Sequence, residues 1–160
     1  VEDAGKQVVR DSADVDCVVV GLDRSFDYDK LSIATTAIRS GATFVATNDD
    51  LTFPTAEGLL PGAGSVVAAV QAASGVAPIV AGKPNQPIID LVRSTGVGEA
   101  YVIGDRIDTD ILLARSEPDW TSILVMTGVT GPDDDTSMAD FVVADISAAA
   151  DLVVSRRNER

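Results

Sequence analysis

Apolar runs alternate with helical patterns along the whole chain. Residues 15–23, VDCVVVGLD, are a continuous β-branched run, the pattern of a strand covered on both faces. In DYDKLSIATTAIRSG, Leu31, Ala34 and Ile38 recur at helical spacing and Gly41 supplies a stop. ATFVATN (42–48) reads as the next strand. Two prolines and three glycines in DDLTFPTAEGLLPGAG (49–64) predict an ordered loop. SVVAAVQAASG (65–75) reads as a helix with Ser65 as N-cap and Gly75 as stop. PIVAG (78–82) predicts a short strand, and NQPIIDLVRSTG (85–96) a helix with Pro87 in its first turn.

The same alternation continues to the end. AYVIGD (100–105) and TSILVMTG (121–128) read as strands. Between them DTDILLARSE predicts a helix whose opening acids suit its positive end. FVVADISAAADLVV reads as a short strand and a helix, and SRRNER (155–160) as a solvated tail. Strand–helix alternation throughout predicts an α/β fold with a largely parallel sheet, in which functional groups collect at the carboxyl ends of the strands.

Composition narrows the chemistry. Apolar residues are 46% of the chain and aromatic ones only 4%, so aliphatic layers form the core. No apolar run reaches the roughly 18 residues of a membrane span, and no basic-then-apolar leader opens the sequence. These features predict a soluble, cytoplasmic protein without a membrane partner. The formal charge of −13 repels phosphate backbones and argues against nucleic acid. A local cation can still admit a small anionic substrate. Cys17 is the single cysteine and lies in an apolar run, so a buried, inert thiol is expected. The chain has no histidine, which removes Ser-His-Asp and Cys-His mechanisms and imidazole metal sites. Carboxylate, lysine, hydroxyl and a hard cation such as Mg²⁺ remain.

Two segments carry that chemistry. GDRIDTD sets Asp105 just past the strand YVI, with Asp110 in the next turn able to return to the same mouth. Such a pair suits a hard cation, one acid directly and the other through water or as an outer partner; it also fits two helix-start acids without a ligand. Asp108 is expected to turn outward. AGKP sets Lys83 at the end of another strand, where an ammonium can neutralise a phosphoryl group or a carboxylate. One βα unit separates the two segments, so their strand ends can be neighbours. PGAGS lacks a clean preceding strand and a following Lys-Ser/Thr, so a loop and helix cap is expected there. The acids of ADVDC (13–17) precede their strand and so fall at its amino end, and PDDD (132–135) reads as a solvated turn.

With GKP upstream and VMTGV downstream, VIGDRIDTDI resembles the haloacid dehalogenase (HAD) superfamily, in its NagD and phosphoglycolate/pyridoxal-phosphate phosphatase branch. VVVGLDRSFDYDKL, GATFVATNDDLTFPTAEGLLPGAGS and AASG match that branch in order. The resemblance implies a Rossmann-like core with an inserted α/β cap: residues 1–77 as the second part of the cap, 78–160 as the C-terminal part of the core. It implies that Lys83 holds the phosphoryl group, that Asp105 binds Mg²⁺ and that Asp110 supports the metal from behind. Asn48, Asp49, Phe53 and Pro54 fall where the family's cap loop faces the substrate, a small phosphorylated metabolite.

The family's Asp-x-Asp-Gly nucleophile strand has no counterpart among these residues. The expectation is a C-terminal part of a longer phosphatase, inactive alone. The apolar strand AYVIG would then have an open edge, covered by a second copy in a homodimer or by the missing N-terminal segment. A non-catalytic binding module is the alternative. A phospho-receiver is disfavoured because Lys83 precedes Asp105, and a dinucleotide-binding fragment would rest on GAGS alone.

Overall fold

The computed structural model describes residues 5–158. They form two compact units that divide between Gly82 and Lys83, rather than between residues 77 and 78. Residues 1–4 of the first expected domain and 159–160 of the expected tail lie outside the described residues.

The first unit is built on a parallel sheet of β1 (Cys17–Val20), β2 (Thr43–Ala46) and β5 (Ile79–Val80), in the order β1-β2-β5. Helices α1 (Tyr28–Arg39) and α2 (Ala63–Ser74) pack with it. Asp27 caps α1 by accepting from the Lys30 amide at 2.9 Å, and Asp29 in the first turn and Arg39 in the last complement the helix dipole. Val20, Ile38, Phe44, Ala46, Val67 and Val70 form the core. Because β5 pairs with β2, the segment PIVAG belongs to this unit and not to the sheet that bears Asp105.

Three expectations fail here. Residues 49–64 are not a loop: β3 (Thr52–Thr55) and β4 (Gly58–Pro61) form an antiparallel hairpin. The prolines concealed it, yet a two-stranded ribbon tolerates proline because each strand has an open edge. Gly58, at φ 125°, makes the turn. Ser65 is not the N-cap; Gly62 is, and the Ser65 hydroxyl donates to the Leu51 carbonyl at 2.9 Å. Cys17 is exposed, because it opens β1, which lies at the sheet edge. Gly75 does end α2, in the left-handed conformation at φ 75°.

The second unit is a parallel sheet, β6 (Ala100–Gly104), β7 (Trp120–Val125) and β8 (Phe141–Val143), in the order β6-β7-β8. Helices cover both faces. Ala100 and Val102 of β6 join Ile89 of α3 (Gln86–Ser94) and Leu113 of α4 (Leu112–Arg115). Tyr101 and Ile103 join Ala149 and Leu152 of α5 (Ile146–Asn158). Alternate residues thus enter opposite cores, which is why the strands read as unbroken apolar runs. Among the described residues β6 pairs on one side only, as the open-edge reading expects. The tail expectation fails from Ser155 to Asn158, which continue α5; Arg156 stacks over the Phe141 ring at 4.7 Å and extends the packed face. No helix among the described residues is long and apolar enough to cross a membrane.

A reciprocal pair ties β7 to the chain entering β8. Asp140 accepts from the Ser122 amide at 2.8 Å and from its hydroxyl at 2.7 Å, while the Asp140 amide donates to the same hydroxyl oxygen at 2.9 Å. The Ser122 backbone N–H, then its hydroxyl, holds the Asp140 carboxyl below its ordinary pKa. The sign follows from linkage. A folded-state pKa below the unfolded one contributes stability above the unfolded value, about 4, and loses it as pH falls through the folded value. Asp140→Asn is expected to cost about 1 kcal/mol at pH 7. Urea unfolding repeated at falling pH checks this: wild type and variant converge below the ordinary carboxylate range. A gap that stays constant with pH contradicts it.

Candidate phosphoryl-transfer site

Asp105 leaves the carboxyl end of β6, and the expected helix after it begins with a wider turn. Ile107–Ile111 is a π-helical turn running into the four-residue α4. The amides of Asp110 and Ile111 both donate to the Arg106 carbonyl, at 3.0 and 3.2 Å. The wider turn carries Asp110 back under the strand end, where a Cβ on Gly104 would overlap its carboxylate. Only glycine leaves that space, so the Gly-Asp spacing of the sequence is a packing requirement.

Asp110 is buried at 5% exposure and its carboxylate is engaged at both oxygens. Oδ1 accepts from the Lys83 ammonium at 2.5 Å and Oδ2 from the Arg106 amide at 3.2 Å. A cis Lys83–Pro84 bond separates Lys83 from α3, and the lysine side chain is half exposed. The structure therefore brings Lys83 and Asp110 together, but through the loop before α3. Adjacency of strand ends plays no part, since PIVAG lies in the other sheet. Asp108 faces outward at 68% side-chain exposure, gripped by Arg106 at 2.8 and 3.1 Å. That guanidinium holds the Asp108 carboxyl below the usual carboxylate range.

Asp105 rests in a cradle made by the loop after β7. Its Oδ2 accepts from the Val129 amide at 2.6 Å. Its carbonyl accepts from the Thr130 amide at 3.0 Å and the Thr130 hydroxyl at 2.6 Å. A Cβ on Gly128 would occupy the place of the Asp105 carboxylate. The segment VMTGVT (125–130) carries no local mark of this role. The available signal was its position: β6 and β7 are parallel neighbours, so the loops at their carboxyl ends share one mouth.

Among the described residues Asp105 Oδ1 has no hydrogen-bond partner, and no three acids cluster as a complete metal cage. The donor set nevertheless fits Mg²⁺, which retains several waters and commonly takes one or two carboxylates together with a substrate phosphate. Asp105 offers one such oxygen from a fixed position. Asp110, already bound to Lys83, suits the outer role.

The other expected residues belong to the first unit. Asn48 Oδ1 accepts from the Asp50 amide at 3.3 Å, and Asp49 is exposed. Phe53 and Pro54 occupy successive positions of β3, Phe53 partly buried and Pro54 exposed.

Residues 80–149 match the HAD-hydrolase-like family. The chain is 43% identical to the 5'-nucleotidase YutF of Bacillus subtilis over 118 residues, 72% of this chain and 46% of that protein. It superposes on a 4-nitrophenylphosphatase from Thermotoga maritima with a TM-score of 0.82 at 34% identity, covering 94% of this chain and 59% of that one. It also superposes on a glycerol phosphate phosphatase from Mycobacterium tuberculosis, solved with magnesium, with a TM-score of 0.72 at 39% identity, covering 83% and 42%. The chain spans about half the length of the curated relatives it matches.

Proposed function

Because the chain belongs to the HAD-like hydrolase family, in its NagD-like phosphatase branch, we propose that it supplies the lysine and metal-binding half of a magnesium-dependent phosphatase acting on a small phosphomonoester. One observation carries the reading. A buried carboxylate, Asp110, holds Lys83 beside the strand end from which Asp105 presents an unengaged oxygen. The relatives are named for nucleotide, nitrophenyl and glycerol phosphates, which supports the phosphomonoester class.

Each group then has a task. Asp105 holds the cation, and the Val129 amide and Thr130 fix its direction. Lys83 places a positive charge against the phosphoryl oxygens, where negative charge grows in the transition state. Asp110 keeps that ammonium in position. Magnesium, when bound, adds Lewis-acid neutralisation of the same oxygens. A nucleophilic Asp on an Asp-x-Asp-Gly segment completes the site, and no such segment occurs in the 160 residues. The first unit acts as the substrate-shaping cap, with Asn48, Asp49, Phe53 and Pro54 on its substrate side. The open edge of β6 favours pairing with a nucleophile-bearing segment or with a second copy.

The test is hydrolysis of 4-nitrophenyl phosphate with Mg²⁺. The 160-residue chain is expected to show no turnover above background. Turnover that disappears in Asp105→Ala would overturn the division of the site. A longer form carrying an Asp-x-Asp-Gly segment is expected to be active; an inactive one favours a non-catalytic binding module instead.

A further inference from the structure

A π-turn is a rare backbone conformation, and the one over Ile107–Ile111 gives way at once to the ordinary turn of α4. It decides where Asp110 lies. Tightened to an α-turn, the segment would rotate Asp110 relative to the strand end and to Lys83. Something in the chain has to keep the turn wide.

Arg106 stands at its start. The Arg106 backbone is extended, at φ −123° and ψ 128°, and the helical turn begins at the next residue. Its carbonyl accepts from the amides of Asp110 and Ile111, and its own amide donates to Asp110 Oδ2. Any residue at this position supplies those backbone groups. Only the side chain adds a further contact. Nε donates to Asp108 Oδ1 at 3.1 Å and a terminal nitrogen donates to Oδ2 at 2.8 Å. This fork closes a ring across the junction between extended and helical backbone. It therefore restrains the torsions that aim the Arg106 amide and carbonyl. Two parallel bonds fix direction as well as distance, which the single point charge of a lysine does not.

The contacts then lead inward. The Asp110 carboxylate is buried, whereas the Lys83 side chain that it holds is half exposed. The ammonium is thus placed only as firmly as Asp110 is, and Asp110 only as firmly as the turn.

We propose that Arg106 is a positioning residue: its fork on Asp108 holds the π-turn, and through it keeps Asp110 and Lys83 paired beside the strand end of β6. The use of that pair in phosphoryl transfer rests on the phosphatase reading; the arrangement itself is tested without turnover.

Trace acetylation of the three lysines with acetic anhydride, read by mass spectrometry, reports how firmly each ammonium is held, with exposed Lys6 as the internal reference. Arg106→Gln is expected to raise Lys83 labelling about threefold, the scale of a forked surface ion pair, and to leave Lys30 unchanged. Asp108→Asn should give the same rise, the double variant no more than either alone, and Arg106→Lys a smaller one. In an Asp110→Asn background Lys83 has already lost its carboxylate, so Arg106→Gln should add nothing. Amide signals of β6–β8 that stay in place show that the variants are folded. Unchanged Lys83 labelling in folded Arg106→Gln, an equal rise at Lys30, or a full further rise in the Asp110→Asn background each overturns the proposal. None of these readings requires turnover, so a chain inactive as a phosphatase leaves them intact.

Discussion

Asp105→Asn is expected to abolish saturable Mg²⁺ binding by the chain. The wild-type protein should show Mg²⁺-dependent shifts of the amides around Gly104–Arg106 and Gly128–Thr130, since Val129 and Thr130 are bonded directly to Asp105. The reason for so large an effect is economy of ligands. On the proposed reading Asp105 supplies the one unengaged carboxylate oxygen at that mouth, so removing its charge removes the direct ligand. The asparagine side chain keeps the shape and an acceptor for the Val129 amide but removes the charge. A folded Asp105→Asn variant that binds Mg²⁺ with unchanged affinity would show that the cation sits elsewhere. Retained fold is read from an unaltered amide spectrum in the two sheets.

Gly64→Ala is expected to destabilise the first unit by about 3 kcal/mol, the upper range for forcing atoms into filled space. Gly64 does not need an unusual backbone angle. Its demand is proximity: an added Cβ would meet the backbone carbonyls of Asp49 and Asp50, while its own amide donates to the Asp50 carbonyl at 2.8 Å. Backbone cannot rotate away as a flexible side chain can, so the segment 48–51 must lift from α2 and loosen Val67 and Val70 in the core. Urea unfolding measures the loss. Gly98→Ala serves as the control, since nothing lies within 4 Å of a Cβ there, and it should stay within about 0.5 kcal/mol of wild type. Equal midpoints for the two variants would refute the clamp.

The glycines of PGAGS illustrate how the sequence could be read and misread. The sequence argues against a phosphate loop here, because the motif lacks a clean preceding strand and a following Lys-Ser/Thr. A strand does precede it, β4, but it belongs to an antiparallel hairpin, and the glycines serve close backbone packing. Local spacing carried the presence of small residues and could not carry what approaches them. The same limit hid the role of Thr130: its partner, Asp105, is 25 residues away, and only β6–β7 pairing brings them together.

By itself the sequence determined the alternation of strands and helices, because burial on both faces of a parallel sheet requires unbroken apolar runs between amphipathic segments. It also narrowed the available chemistry, because a chain without histidine and with one cysteine leaves carboxylate, lysine, hydroxyl and hard-cation groups. Tertiary structure decided which groups lie together. Periodicity cannot say to which sheet a two-residue strand belongs; β5 joined β2, and Lys83 reached Asp110 from the loop beyond it. Nor can it distinguish an α-turn from the wider π-turn that returns Asp110 beneath Gly104. These outcomes depend on the space left by neighbouring segments, and that space exists only once the chain has packed.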